Sequence, residues 1–183
     1  KNKVIFKDVD LHLHTTDHKI IGLTGPSGRG KSTMCKMFLK MYKCNKGNVY
    51  IDGVNIEDID PVYIRTNITY INQNSKLFDR NVLENLLYGC SDTDYCIEKM
   101  KFIMQYPKIK ELYKDIDLEK NDCGPMGEKL SGGQRQIVNI ISGLINPSRI
   151  LILDEPTNAL DKQLKIELLD IIKQFKKDKQ SII

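Results

Sequence analysis

The chain contains no tryptophan and a single alanine, Ala159, among 183 residues. It lacks long apolar runs as well. The densest, such as Ile150 to Leu153, is far shorter than the about 18 residues a helix needs to span a bilayer. Its first residues, KNKVIFKDVD, have no apolar block of the kind a secretory signal carries. Cysteine follows no paired pattern. The five (Cys35, Cys44, Cys90, Cys96, Cys123) are odd in number, and only Cys90 and Cys96 lie close together, without a second pair or a neighbouring histidine. That predicts reduced thiols in a cytosol-facing domain, with no metal site. Charge is nearly balanced: 28 Lys+Arg less 24 Asp+Glu leaves +4. Lysine, isoleucine and asparagine supply 60 residues, so scattered lysines reflect bias in composition, and no nucleic-acid partner is expected. A 40% hydrophobic content excludes a wholly disordered chain, and the length suits one domain.

Short β-like runs alternate with helical patterns, which predicts an α/β domain. Val4 to Leu13 alternates apolar and polar residues, as a half-buried strand does, with Phe6 expected in the core. Lys19 to Thr24, Thr69 to Ile71 and Arg149 to Leu153 are further strand candidates. Asn48 to Ile51, followed by Asp52-Gly53, reads as a strand and a tight turn. From Ser32, Met34, Met37, Phe38 and Met41 recur at helical spacing. Residues 80–120 are charged and helical in pattern, through Val82, Leu86 and Leu87, then Ile97, Met100, Ile103 and Met104. Ser131 is placed to cap a helix running to Ile145. Leu164, Leu168, Ile171, Ile172 and Phe175 form the apolar stripe of a late helix, and Ser181 begins a last strand. His12, His14 and His18 are expected on the solvated surface.

The strongest chemical signal is Gly25-Pro26-Ser27-Gly28-Arg29-Gly30-Lys31-Ser32-Thr33, a GxxxxGK[ST] pattern set between a strand and a helix. Its glycines let the backbone wrap an anion with N–H groups turned inward, and the following helix points its positive end at the same place. Lys31 is expected to reach the β- and γ-phosphates of a nucleoside triphosphate, and Ser32 to offer its hydroxyl to Mg2+.

A second signal is Ile150-Leu-Ile-Leu-Asp154-Glu155, a buried strand ending in two carboxylates. Strand C-termini are where α/β folds place ligand chemistry. Asp154 suits the Mg2+ shell begun by Ser32, and Glu155 suits the base that polarises the attacking water.

The third is Leu130-Ser131-Gly132-Gly133-Gln134, whose Ser131 lies 23 residues ahead of Asp154. With these three motifs in this order, the chain resembles the nucleotide-binding domain of an ATP-binding-cassette (ABC) ATPase. The resemblance implies a P-loop NTPase fold: a RecA-like α/β core with an antiparallel β-subdomain and an inserted helical subdomain around residues 80–145, the whole of 1–183 being one incomplete domain. It implies a head-to-tail dimer with a second nucleotide-binding domain, identical or different, in which Ser131 and Gly133 face the nucleotide of the other subunit. Gln73 matches the family's Q-loop glutamine, which senses Mg2+ and the attacking water. Asn158-Ala-Leu-Asp161 resembles the D-loop. ATP and Mg2+ are the implied cofactors.

Leu77-Phe78, Val82-Leu-Glu84-Asn85, Tyr88-Gly89, Gly124 and Gly127 resemble exporter-type members, where these stretches meet a membrane domain; Pro156 is closer to importers and soluble members. The expected function is therefore the ATP-hydrolysing motor of a membrane transporter, an exporter, facing the cytoplasm. Its transmembrane domain would be in the same chain or a partner. The alternative is a soluble ABC ATPase acting on nucleic acid or the ribosome. Three departures stand out. Ile183 precedes the place of the family's switch histidine, and the adenine-stacking aromatic belongs before Val4, so a fragment cut at both ends is expected. Ser142 stands where most members carry arginine.

Overall fold

A computed structural model describes residues 4–14, 19–72, 76–179 and 181–183. Four parallel strands, β1 (Lys19–Ile20), β4 (Ile68–Ile71), β5 (Ile150–Leu153) and β6 (Ser181–Ile182), form one sheet in the order β1–β6–β5–β4. Parallel neighbours need long crossovers, and the stretch between β4 and β5 supplies one made of helices. Register is fixed along the central pair, from Ile68 opposite Ile150 to Ile71 opposite Leu153. A separate antiparallel hairpin joins β2 (Tyr50–Ile51) to β3 (Val54–Asn55). Its turn residues Asp52 and Gly53 both take positive φ, 49° and 80°, matching the right-handed twist of the flanking strands.

Helix starts carry visible caps. α2 (Pro61–Asn67) begins with proline behind Asp60, whose carboxylate accepts the Val62 N–H at 2.7 Å. α3 (Val82–Leu86) has a capping box made by Asn81 and Glu84. α4 (Thr93–Ile103) is capped by Asp92. α5 (Pro107–Leu112) is anchored from afar, because Glu167 on α7 (Lys162–Phe175) accepts the N–H groups of Lys108 and Ile109 at 3.1 and 2.9 Å.

The core centres on α6 (Gly132–Ile145), where Ile137, Val138, Ile140, Ile141, Leu144 and Ile145 are all buried. They meet Leu151 of β5, the apolar stripe of α7, and Val82, Leu86, Met100 and Ile103 of α3 and α4. Each such side chain contributes about 1.5–3 kcal/mol by leaving water, so α6 is the element most costly to disturb. A smaller cluster of Cys35, Ile56, Ile64, Ile68 and Ile152 seats α1 (Lys31–Phe38) on the sheet. Lys179, also buried, donates to the carbonyls of Asn146, at the C-terminus of α6, and of Ser148. Burial pushes its ammonium down to about 8.

Four sequence expectations change. Val4 to Leu13 alternates like a strand, yet residues 4–14 pair with no strand among the described residues, and Val4, Ile5, Val9 and Leu11 are exposed. The run from Lys19 to Thr24 is a strand only over its first two residues. In α1 the buried residue is Cys35; Met34, Met37 and Phe38 are half-buried, and Met41 lies past the helix, exposed. Finally, Cys90 and Cys96 form a disulfide, while Cys35, Cys44 and Cys123 stay free. The turn from α3 into α4 brings their Cα atoms to 6.6 Å, within bridging reach. By contrast, His12 and His14 are exposed, as expected; His18 lies outside the described residues.

Two outcomes follow from this packing. A Cβ at Gly143 would lie 2.8 Å from Ile71 Cγ1 and 3.0 Å from Leu151 Cδ1. Gly143→Ala gains about 1 kcal/mol of helix propensity but forces overpacking worth about 1–3 kcal/mol. Urea unfolding is expected to show a net loss of roughly 1 kcal/mol, and a gain would contradict the close α6–sheet contact. Thiol titration of the denatured chain should find three reactive cysteines before reduction and five after it.

Candidate nucleotide-binding site

The loop Gly25 to Gly30 leaves β1 and turns into α1. Gly28 and Gly30 take φ of 73° and 98°, which L side chains rarely adopt. Gly30 is the N-cap of α1 and no side chain caps the helix. The first-turn N–H groups of Lys31, Ser32 and Thr33 therefore have no side-chain cap, and they stand at the positive end of the helix dipole, where an anion is favoured. Pro26, Ser27, Gly28 and Arg29 are exposed around them, as is Gly25. The Lys31 ammonium crosses the loop, donating to the carbonyls of Gly25 at 2.8 Å and Pro26 at 3.2 Å. Phe6 is half-buried and lies against this loop, not in the main core. A Cβ on Gly30 would come within 2.6 Å of Ile5 Cγ2 and 2.8 Å of Phe6 Cζ.

Asp154 extends β5 by one residue, its N–H donating to Ile71 O at 2.9 Å. Its carboxylate is held on both oxygens. Ser32 Oγ donates to Oδ1 at 3.0 Å, and Tyr70 Oη donates to Oδ2 at 2.8 Å. The structure thus brings together Ser32 and Asp154, which are 122 residues apart in sequence. Two hard oxygens side by side at a phosphate loop are the donor set Mg2+ takes, so these residues fit the ion. Burial first, then the hydrogen bond to Asp154, holds the Tyr70 phenol above its ordinary pKa; burial and the Asp154 charge raise the Cys35 thiol beneath the site.

Glu155 follows with φ of 51°, a left-handed conformation that costs a residue with a side chain about 1–2 kcal/mol. Two partners offset this. Asn158 Nδ2 donates to Glu155 Oε2 at 2.7 Å, and Gln136 Nε2 reaches the Glu155 carbonyl at 3.4 Å. Gln136 Oε1 in turn accepts the Ala159 N–H at 2.9 Å, so one side chain on α6 joins the two turns after β5.

Ser131 and Gly133 open α6. Ser131 Oγ accepts the Gln134 N–H at 3.2 Å, and Gln134 Oε1 accepts the Ser131 N–H at 2.8 Å. Arg135 closes the segment beneath, donating to the carbonyls of Gly127 and Leu130. Gly133 packs on Ala159, a Cβ built on it lying 3.6 Å from Ala159 O. Gln73 lies outside the described residues. A cleft of about 580 Å³ opens beside Gln136, lined also by Ile71, Lys76, Met126, Arg135 and Ala159.

Sequence reasoning missed Tyr70, Asn158 as the partner of Glu155, and Gln136. The parity of β4 held a signal for Tyr70: Thr69 turns to Ser148, bonding at 2.8 Å, so Tyr70 turns to the other side, toward Asp154.

Residues 6–158 match the ABC transporter family. The chain is 33% identical over 184 residues to ABC transporter B family member 1 of Dictyostelium discoideum, covering all of this chain and 20% of that one. It is 33% identical over 177 residues to the ATP-dependent lipid A-core flippase of Albidiferax ferrireducens, covering 95% and 30%. Among solved structures, a bacterial Atm1-family ABC exporter with ATP bound matches with a TM-score of 0.76 at 26% identity, covering 86% of this chain and 28% of that one. The chain belongs to the ABC transporter family, as a P-loop NTPase of α/β fold that binds ATP. It spans about a fifth to a third of the length of the curated relatives it matches. No described helix is long and apolar enough to cross a membrane.

Gly30→Ala is expected to lose nucleotide affinity and about 1–2 kcal/mol of stability, from the φ of 98° together with the clash against Ile5 and Phe6. Gly47→Ala, whose Cβ would meet open space at φ of 80°, is the control. Equal nucleotide binding in both variants would contradict the placement of the loop.

Proposed function

We propose that this chain is the ATP-hydrolysing motor of a membrane exporter, working as a head-to-tail pair of nucleotide-binding domains on the cytoplasmic side. The observation that carries the reading is the Ser32–Asp154 contact of 3.0 Å, which joins the phosphate loop to the acidic strand end. In this reading Gly25 to Thr33 cradle the phosphates through backbone N–H groups, and Lys31 turns its ammonium from the loop carbonyls to the β- and γ-phosphates. Ser32, Asp154 and Gln73 would hold Mg2+. That ion, when bound, would offset the negative charge that develops on the transferring phosphate.

Glu155 orients the attacking water and takes its proton as the water oxygen bonds to the γ-phosphorus and the bond to the β-bridging oxygen breaks. Asn158 aims the Glu155 carboxylate. Ser131 and Gly133, with the N-terminus of α6, serve the nucleotide of the second domain, which suits the positive end of a helix dipole.

The exporter assignment draws on the names of the relatives, and on one surface. Phe78 and Tyr88 are exposed with ring centroids 4.4 Å apart, and Leu77 pairs with Met126, so the two exporter-like stretches lie side by side. We read this surface, on a helical subdomain spanning about 80–145, as the contact for a transmembrane domain in the same polypeptide or a partner.

Glu155→Gln in the full-length protein is expected to lower phosphate release about a hundredfold or more, while ATP binding persists. Unchanged turnover would remove Glu155 from its role.

A further inference from the structure

We propose that Tyr70 is a positioning residue for Asp154: its hydroxyl occupies Oδ2 and so leaves Oδ1, beside Ser32, as the oxygen offered to the divalent cation. The proposal rests on the reading of Asp154 as a Mg2+ ligand. Asp154 is clamped at three points, by its own N–H on Ile71 O at 2.9 Å, by Ser32 on Oδ1 at 3.0 Å and by Tyr70 on Oδ2 at 2.8 Å. The third clamp comes from a different element than the phosphate loop. Parallel register sets Tyr70 opposite Ile152, two residues before Asp154, so its side chain spans the gap from β4 to the end of β5.

A carboxylate with both oxygens free can take a cation through two of them, as Ca2+ accepts in its flexible six- to eightfold shell. Mg2+ demands near-octahedral geometry and is served by one oxygen per carboxylate. A neutral hydroxyl fixed on Oδ2 blocks the two-oxygen mode without adding charge. Tyr70 therefore biases the site toward the smaller ion, and it orients Asp154 in the way outer partners orient metal ligands.

The test titrates Mg2+ and Ca2+ by calorimetry against the full chain carrying a non-hydrolysable ATP analogue. It is run on the parent, Tyr70→Phe and Asp154→Asn, with affinity for the analogue in EDTA measured alongside. Tyr70→Phe removes one oxygen and keeps the ring. It is expected to weaken Mg2+ about tenfold while leaving Ca2+ unchanged or tighter, with metal-free affinity for the analogue intact. Asp154→Asn is expected to weaken both ions.

An unchanged Mg2+:Ca2+ preference in Tyr70→Phe, with both ions weakened in Asp154→Asn, would overturn the role of Tyr70 and leave that of Asp154. A loss of metal-free affinity as large as the loss of Mg2+ affinity would mark Tyr70 as merely structural and also overturn it. Full metal binding in Asp154→Asn would overturn the underlying reading itself.

Discussion

The parallel pairing of Ile68–Ile71 with Ile150–Leu153 is the constraint on which the site depends. It sets the end of β5 level with the end of β4, so that Asp154 emerges where Tyr70 from one side and Ser32 from α1 can both reach it. Slipping the register by one residue would exchange the faces of the strand and carry Tyr70 away from Asp154. The small cluster around Cys35, Ile68 and Ile152 serves the same end, because it seats the first turn of α1 over the strand ends. Residues 25–33, 70 and 154 are thus collected by sheet geometry, with little help from sequence proximity.

α6 joins this sheet to the rest of the chain. Its buried face fills the main core, Gly143 lets it approach Ile71 and Leu151, and its first turn carries Ser131 and Gly133. Gln136, one turn in, is bonded to the Glu155 carbonyl and the Ala159 N–H. A shift of α6 would therefore be felt at Glu155, which already sits in an unfavourable backbone conformation. This one side chain thus links the start of α6 to the acidic strand end within the chain.

Much of this was legible in the residues. Ser131 announced a helix cap, Leu164 to Phe175 a buried stripe, and Ile150 to Glu155 a strand ending in carboxylates. Local signals sufficed there because the partners lie within a few residues or one helix face. Val4 to Leu13 failed for the opposite reason: alternation describes a strand only when a neighbour pairs with it. Cys90 and Cys96 were misread because their approach depends on how the chain turns between α3 and α4. Tyr70 and Gln136 are polar side chains without a motif, and only the pairing of β4 with β5 and the packing of α6 give them partners.

Every role proposed for the site depends on the Lys31–Ser32–Asp154 constellation binding a magnesium nucleotide. Calorimetric titration of ATP into the full chain, with and without Mg2+, and into Lys31→Ala, tests this directly. Saturable binding that tightens with Mg2+ and is lost in Lys31→Ala is expected. Binding of equal strength in all three conditions would contradict it.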